Sequence, residues 1–236
     1  MNISITLPTK KDVVKDYFPV ILSLLAIVIF DDFVSEPLST QRLSIVFPNI
    51  DTILLYVQSI FIGISFITLF FKKKRRITHL IIVFILWMAT LKLGISVFLI
   101  VRQIITSETS SLEAKAGSLF LDALLLWGTN VIIFAIWYWM LDRGGAYNRS
   151  HRISRRPDFL FPIQDHCADD WCKEWYDSWQ PGFVDYLFLA FTTNTAISPT
   201  ETMVLSTRAK WLMMLQSSIS MTVLVIFVAR AINMIK

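Results

Sequence analysis

The stretch Thr192-Thr193-Asn194-Thr195-Ala196-Ile197-Ser198-Pro199-Thr200-Glu201 is crowded with hydroxyls, broken by a proline and closed by a carboxylate. Hydroxyl oxygens and the free carbonyls at a helix C-terminus carry partial negative charge, which suits a desolvated cation. Thr192, Thr193, Thr195, Ser198 and Glu201 are the candidates to line such a site. Downstream, Gln216, Ser217, Ser220 and Arg230 fall within about 140° of arc at 100° per residue, so one helix face is polar. That face either lines a wet path or hydrogen-bonds to neighbouring helices, where small polar residues are common. A third feature is Lys92, a full charge near the middle of an apolar run. It calls for a partner, with Asp122 and Asn130 the candidates, or it snorkels to an interface.

Other chemistry is thin. Cys167 and Cys172, with His166 and a neighbouring Asp, offer zinc ligands, but two cysteines at that spacing do not make a set. No hydrolase elbow, phosphate loop, dinucleotide fingerprint or metalloprotease helix occurs. No catalytic residues, metal or cofactor are therefore expected. Trp171, Trp175 and Trp179 recur every four residues, a helix face that reads as an interfacial anchor or a ligand-binding aromatic surface.

The elements that must position these residues are membrane spans. Of 236 residues, 55% are hydrophobic and 17% charged, against about 25% charged in soluble domains. The apolar residues sit in blocks. Leu80–Val101, Leu119–Leu141 and Trp211–Ile232 each suffice to cross a hydrocarbon core, which takes roughly 20 residues. Ile53–Phe71 also suffices, and Phe18–Phe30 does so if it continues to Val34. Phe183–Phe191 is different, because nine helical residues cover only about 14 Å. Followed by the hydroxyl-rich stretch, it reads as a re-entrant loop or as a short tilted sixth span. The expected fold is an all-α polytopic transmembrane protein with five full spans plus this short re-entrant or half-spanning helix. It divides into a four-span region (1–141), an aromatic connecting loop (142–181) and a terminal unit (182–236).

Basic residues near span ends mark the cytoplasmic side. Lys10, Lys11 and Lys15 precede the first span, Lys72 to Arg76 follow the second, and Arg143, Arg149, Arg152, Arg155 and Arg156 follow the fourth. Two spans separate successive clusters, so all three face the cytoplasm together, with the N-terminus. The run Lys72–Arg76 is pinned between spans, so no nucleic-acid partner is expected.

Two resemblances follow from motifs. Residues 183–235 resemble the pore-helix, filter and inner-helix module of tetrameric cation channels, through the short helix before Thr192-Thr193, the loop from Thr195, Glu201, Arg208 and a long last helix. The resemblance implies a homo-oligomeric pore for monovalent cations. The filter is non-standard, because Thr195 to Thr200 contains no glycine to give the left-handed backbone that aligns filter carbonyls. Residues 119–235 also resemble a group of bacterial integral membrane proteins of no assigned activity. That likeness rests on Trp137-Tyr138-Trp139, Asp142-Arg143-Gly144-Gly145, Pro157-Asp158-Phe159-Leu160-Phe161-Pro162, Asp185-Tyr186, Ser198-Pro199-Thr200 and Ala229-Arg230-Ala231-Ile232-Asn233. It implies a bacterial inner membrane. The alternatives to a pore are an accessory membrane protein that binds partners through 142–181, and a small transporter using Lys92.

Overall fold

The structure, a computed structural model, describes residues 10–33, 56, 60, 63–64, 75–106, 116–145, 156–162, 179–195 and 202–234. Its elements are α1 (Lys10–Phe33), α2 (Arg75–Thr106), α3 (Ala116–Leu141), β1 (Phe159–Leu160), α4 (Phe183–Asn194), β2 (Met203–Val204) and α5 (Thr207–Met234). Three helices carry windows long and apolar enough to cross a membrane: Thr78–Arg102 in α2, Phe120–Gly144 at α3, and Thr207–Val228 in α5. In α1 the apolar part, Tyr17–Phe30, is shorter. Five full spans are therefore not all established, and most of 53–71 lies outside the described residues.

The pillar of the bundle is α3. Its apolar window is 56% buried, against 33% in α2 and 22% in α5. Its inward residues include Phe134, Tyr138, Ile133 and Ile136, all fully buried. The helices α1, α2, α4 and α5 run antiparallel to it. Tyr17 of α1 stacks edge-on against Trp139, with ring centroids 5.2 Å apart. At the far end of α1, the Phe30 ring lies 3.3 Å from where a Cβ on Gly128 would stand, so the missing side chain admits the helix. Trp137 Nε1 donates to Thr90 Oγ1 at 2.9 Å, fixing α2 against α3. On α5, the Gln216 side chain meets Tyr138 and Phe227 meets Phe120, 4.4 Å between centroids.

One end of the bundle thus gathers the starts of α1, α2, α4 and α5 with the end of α3. The basic residues at sequence positions flanking the spans fall at that end: α1 opens at Lys10, α2 at Arg75, and Arg143, Arg156, Arg208 and Lys210 lie beside the ends of α3, β1 and β2. Among the described residues, these basic positions distant in sequence therefore share one end of the bundle.

The end of α3 is shaped by Arg143-Gly144-Gly145, with φ of 52°, 75° and 90°. Gly145 N donates back to Asp142 O at 2.9 Å, a helix terminus closed by left-handed residues. A Cβ at Gly145 would stand 2.9 Å from His79 Nε2 and 3.0 Å from Met140 O. Gly145→Ala should therefore combine a disfavoured φ with a close approach and destabilise by about 1–3 kcal/mol. Thermal unfolding in detergent checks this, with Gly63→Ala, which meets open space, as the control.

The α4 helix is entered through Gly182, whose N donates to Asp185 Oδ2 at 2.7 Å, a carboxylate on the first helical turn. The helix runs inward from the basic end, and Asn194 at its far end meets the middle of α3. Asn194 Nδ2 donates to Trp127 O at 3.2 Å, and Asn130 Nδ2 donates to Asn194 Oδ1 at 2.6 Å. That point lies about 17 Å along α3 from Leu141, at 1.5 Å per residue. The chain is back at the basic end by β2, where Val204 pairs with Phe159 and Met203 with Leu160 in antiparallel register. Then α5 goes in again, capped by Ser206 Oγ, which accepts from Ala209 N at 3.2 Å. Segment 183–204 therefore enters half-way and returns to the end it came from. A straight sixth helix over 183–205 is excluded by the break after Asn194 and the β2 pairing.

Candidate functional site: a two-tier polar seam between α3, α4 and α5

The upper tier closes the basic end. Asp142 Oδ1 accepts from Asp158 N at 2.8 Å and from Phe159 N at 3.4 Å, while Oδ2 accepts from Tyr186 OH at 2.7 Å. One buried carboxylate thereby joins the end of α3, the start of β1 and the first half of α4. Asp158 repeats the device. Its carboxylate accepts from Arg208 Nε at 2.9 Å and Nη2 at 3.0 Å, and its carbonyl accepts from Leu205 N at 2.9 Å. Both aspartates are buried, while the Arg208 side chain is 57% exposed. The two-pronged guanidinium contact is the geometry arginine favours. Arg143 Nε stands 3.9 Å from Asp142 Oδ2.

The lower tier is a cluster of amides and hydroxyls. Tyr138 OH donates to Gln216 Oε1, and Gln216 Nε2 donates to Ala190 O at 2.8 Å. Ser220 Oγ donates to Asn194 O, a carbonyl that the helix end leaves without an intrahelical donor. The two α5 donors are four residues apart, and so are their two α4 acceptors, so α4 and α5 lie parallel and in register. Asn130, fully buried, gives its nitrogen to Asn194 and, at 3.4 Å, to Gln216 O. Its Oδ1 is buried and has no hydrogen-bond partner among the described residues.

Between the tiers sits an aromatic layer. Phe159, fully buried, lies with its ring centroid 5.3 Å from Tyr138 and 6.4 Å from Tyr186. Phe161 stacks edge-on against Tyr186 at 5.5 Å and Trp179 at 5.8 Å.

The sequence candidates fall as follows. Thr192 Oγ1 donates to Phe188 O and Leu189 O, both at 3.0 Å. Thr193 Oγ1 donates to Leu189 O at 2.7 Å, and Thr195 Oγ1 to Phe191 O at 3.2 Å and Thr192 O at 3.1 Å. These hydroxyls spend their protons on their own helix, and Thr193 is buried. Gln216 and Ser220 are buried in helix packing, and Ser217 is half-buried. Arg230 lies in α5, but its side chain, like Ser198, Glu201, Cys167, Cys172, Trp171 and Trp175, lies outside the described residues.

Lys92 is half-buried on α2, and Asp122 is buried on α3. The Thr90–Trp137 contact sets the antiparallel register, which separates Lys92 from Asp122 by about 20 Å of helix and puts Asp122 nearer the level of Arg102. Asn130 spends its nitrogen elsewhere and its oxygen on nothing, so it is not the partner of Lys92.

Asp142, Asp158, Tyr138 and Tyr186 were visible in sequence only as parts of motifs, with no role attached. The signal that could have found them is the Gly144-Gly145 pair, which marks a sharp terminus beside a carboxylate. Among the described residues no group of His, Cys, Asp and Glu is placed to hold a metal. Searches of protein-family models, curated proteins and solved structures found no match to this chain.

Proposed function

We propose that this is an integral membrane protein whose basic end faces the cytoplasm and whose α4–return–α5 unit is a pore-loop module for small monovalent cations in a homo-oligomer. The single observation that carries this reading is the path of 183–204, in to mid-bundle and back to the same end, followed by a long helix. Non-helical backbone at that depth is tolerated only against protein or water. The carbonyl end of α4 and the acceptor oxygens of Thr192 and Thr195 give that end the polarity a cation needs. A bacterial inner membrane is the setting implied by the sequence resemblance.

The test is flux of monovalent cations into vesicles holding the purified protein. Thr195→Val and Ser198→Ala should change rate or ion preference severalfold while elution and melting stay near the parent. Background flux from well-folded protein, or a strict monomer in native-mass measurements, removes the pore. Labelling of cysteines introduced at 156 and 210 should occur only from the cytoplasmic side.

A second reading is favoured by a different observation: Thr193, Asn194, Gln216 and Ser220 are all engaged within the protomer. A hairpin held that way also serves as a rigid base for an accessory protein that presents 142–181 to partners. Under that reading Thr195→Val and Ser198→Ala shift stability only, and flux stays at background throughout.

A further inference from the structure

We infer that Phe159 is a hydrophobic gate that keeps water at the basic end out of the amide cluster around Asn130, with the β1–β2 pair and the Asp158–Arg208 contact as its latch. The inference uses the membrane placement of the bundle proposed above but not ion permeation. Two polar tiers lie along the same α3–α4–α5 seam. The Phe159 ring stands between them, against Tyr138 of the lower tier and Tyr186 of the upper.

The strand that carries Phe159 is short. Its partner strand has two residues, and Phe159 itself faces Val204. The adjacent Asp158 is fixed by the guanidinium of Arg208, an exposed group competing with solvent. Its N–H and that of Phe159 rest on Asp142. Two-residue strands latched through an exposed side chain open locally at lower free energy than the helical core behind them. Below the ring, the lower tier contains a site that water would fill: Asn130 Oδ1, buried and without a partner, is an acceptor that costs free energy until a donor reaches it. Outward movement of β1 withdraws the ring and joins the two tiers into one polar seam, from the exposed Arg208 to Asn194.

Cysteine accessibility in detergent-solubilised full-length protein tests this without reference to flux. The native Cys167 and Cys172 are replaced by Ser, and Ser220→Cys places a thiol in the lower tier in place of a hydroxyl of similar size. A small charged methanethiosulfonate should modify this thiol slowly. Adding Phe159→Ala should raise the rate at least about tenfold, because the open population, rather than the intrinsic thiol chemistry, limits it. Phe159→Leu, which keeps an apolar plug, should stay near the parent.

Native-like elution and a cooperative melt establish that each variant is folded. If Phe159→Ala does not fold, Arg208→Gln, which loosens the latch and spares the ring, decides by the same readout and should also raise the rate. A folded Phe159→Ala whose position 220 stays slow overturns the gate. So does a parent that already reacts as fast as Phe159→Ala. A functional pore whose position 220 stays slow in folded Phe159→Ala would sink this inference alone, while a slow parent and a fast Phe159→Ala without flux would spare it and sink the pore.

Discussion

Asp142→Ala should be the most destabilising single change at the basic end, costing about 3–5 kcal/mol, the range for breaking a buried charged network by removing one partner. The carboxylate receives Asp158 N, Phe159 N and Tyr186 OH. Its loss leaves three buried donors, two at the start of β1 and one on α4, without an acceptor. Tyr186→Phe removes one donor and leaves the carboxylate its backbone partners, so it should cost only about 1 kcal/mol. Unfolding in mixed micelles with increasing denaturing detergent would measure both. Equal losses for the two variants would mean that Asp142 is not the hub described here. Proteolysis near 156–162 should also accelerate in Asp142→Ala, since that segment loses its anchor.

Gln216→Leu should have the next largest effect, about 2–4 kcal/mol, because it strips partners from a buried network in which each group depends on the others. Tyr138 OH loses its acceptor, and Ala190 O loses the donor that locks α4 to α5. The double variant Tyr138→Phe with Gln216→Leu removes the stranded hydroxyl as well. It should therefore be less damaged than the sum of the singles by at least about 1 kcal/mol. Strict additivity in that cycle would show that the two side chains do not act together.

The spans were legible because an apolar block of some 20 residues has few other uses, and α2, α3 and α5 fall where the blocks predict. Length also set Phe183–Phe191 apart from the long blocks, while leaving a re-entrant loop and a short sixth span both open. The periodicity of α5 also marked Gln216 and Ser220 as one polar face. Their partners were hidden because they are mostly backbone: Ala190 O and Asn194 O belong to no motif. The upper tier was hidden for another reason. Asp158 meets residues 16 and 50 positions away, and β1 and β2 are two residues each, too short for any alternation to show. For Lys92 the sequence offers only depth counted from span ends, whereas the hairpin register is set by Trp137 and Thr90.

The matched spacing of the α4 and α5 contacts bears on how the chain is made. Synthesis runs from the N-terminus, so α4 leaves the ribosome before α5 exists. At that moment its last carbonyls face α3 alone, and Ala190 O and Asn194 O lack the side chains of Gln216 and Ser220. A 12-residue helix is too short to hold itself across a bilayer by hydrophobicity. The hairpin therefore has no settled position until α5 has entered beside it. The later helix is then the component that seats its predecessor, and this pair settles in the reverse of translation order.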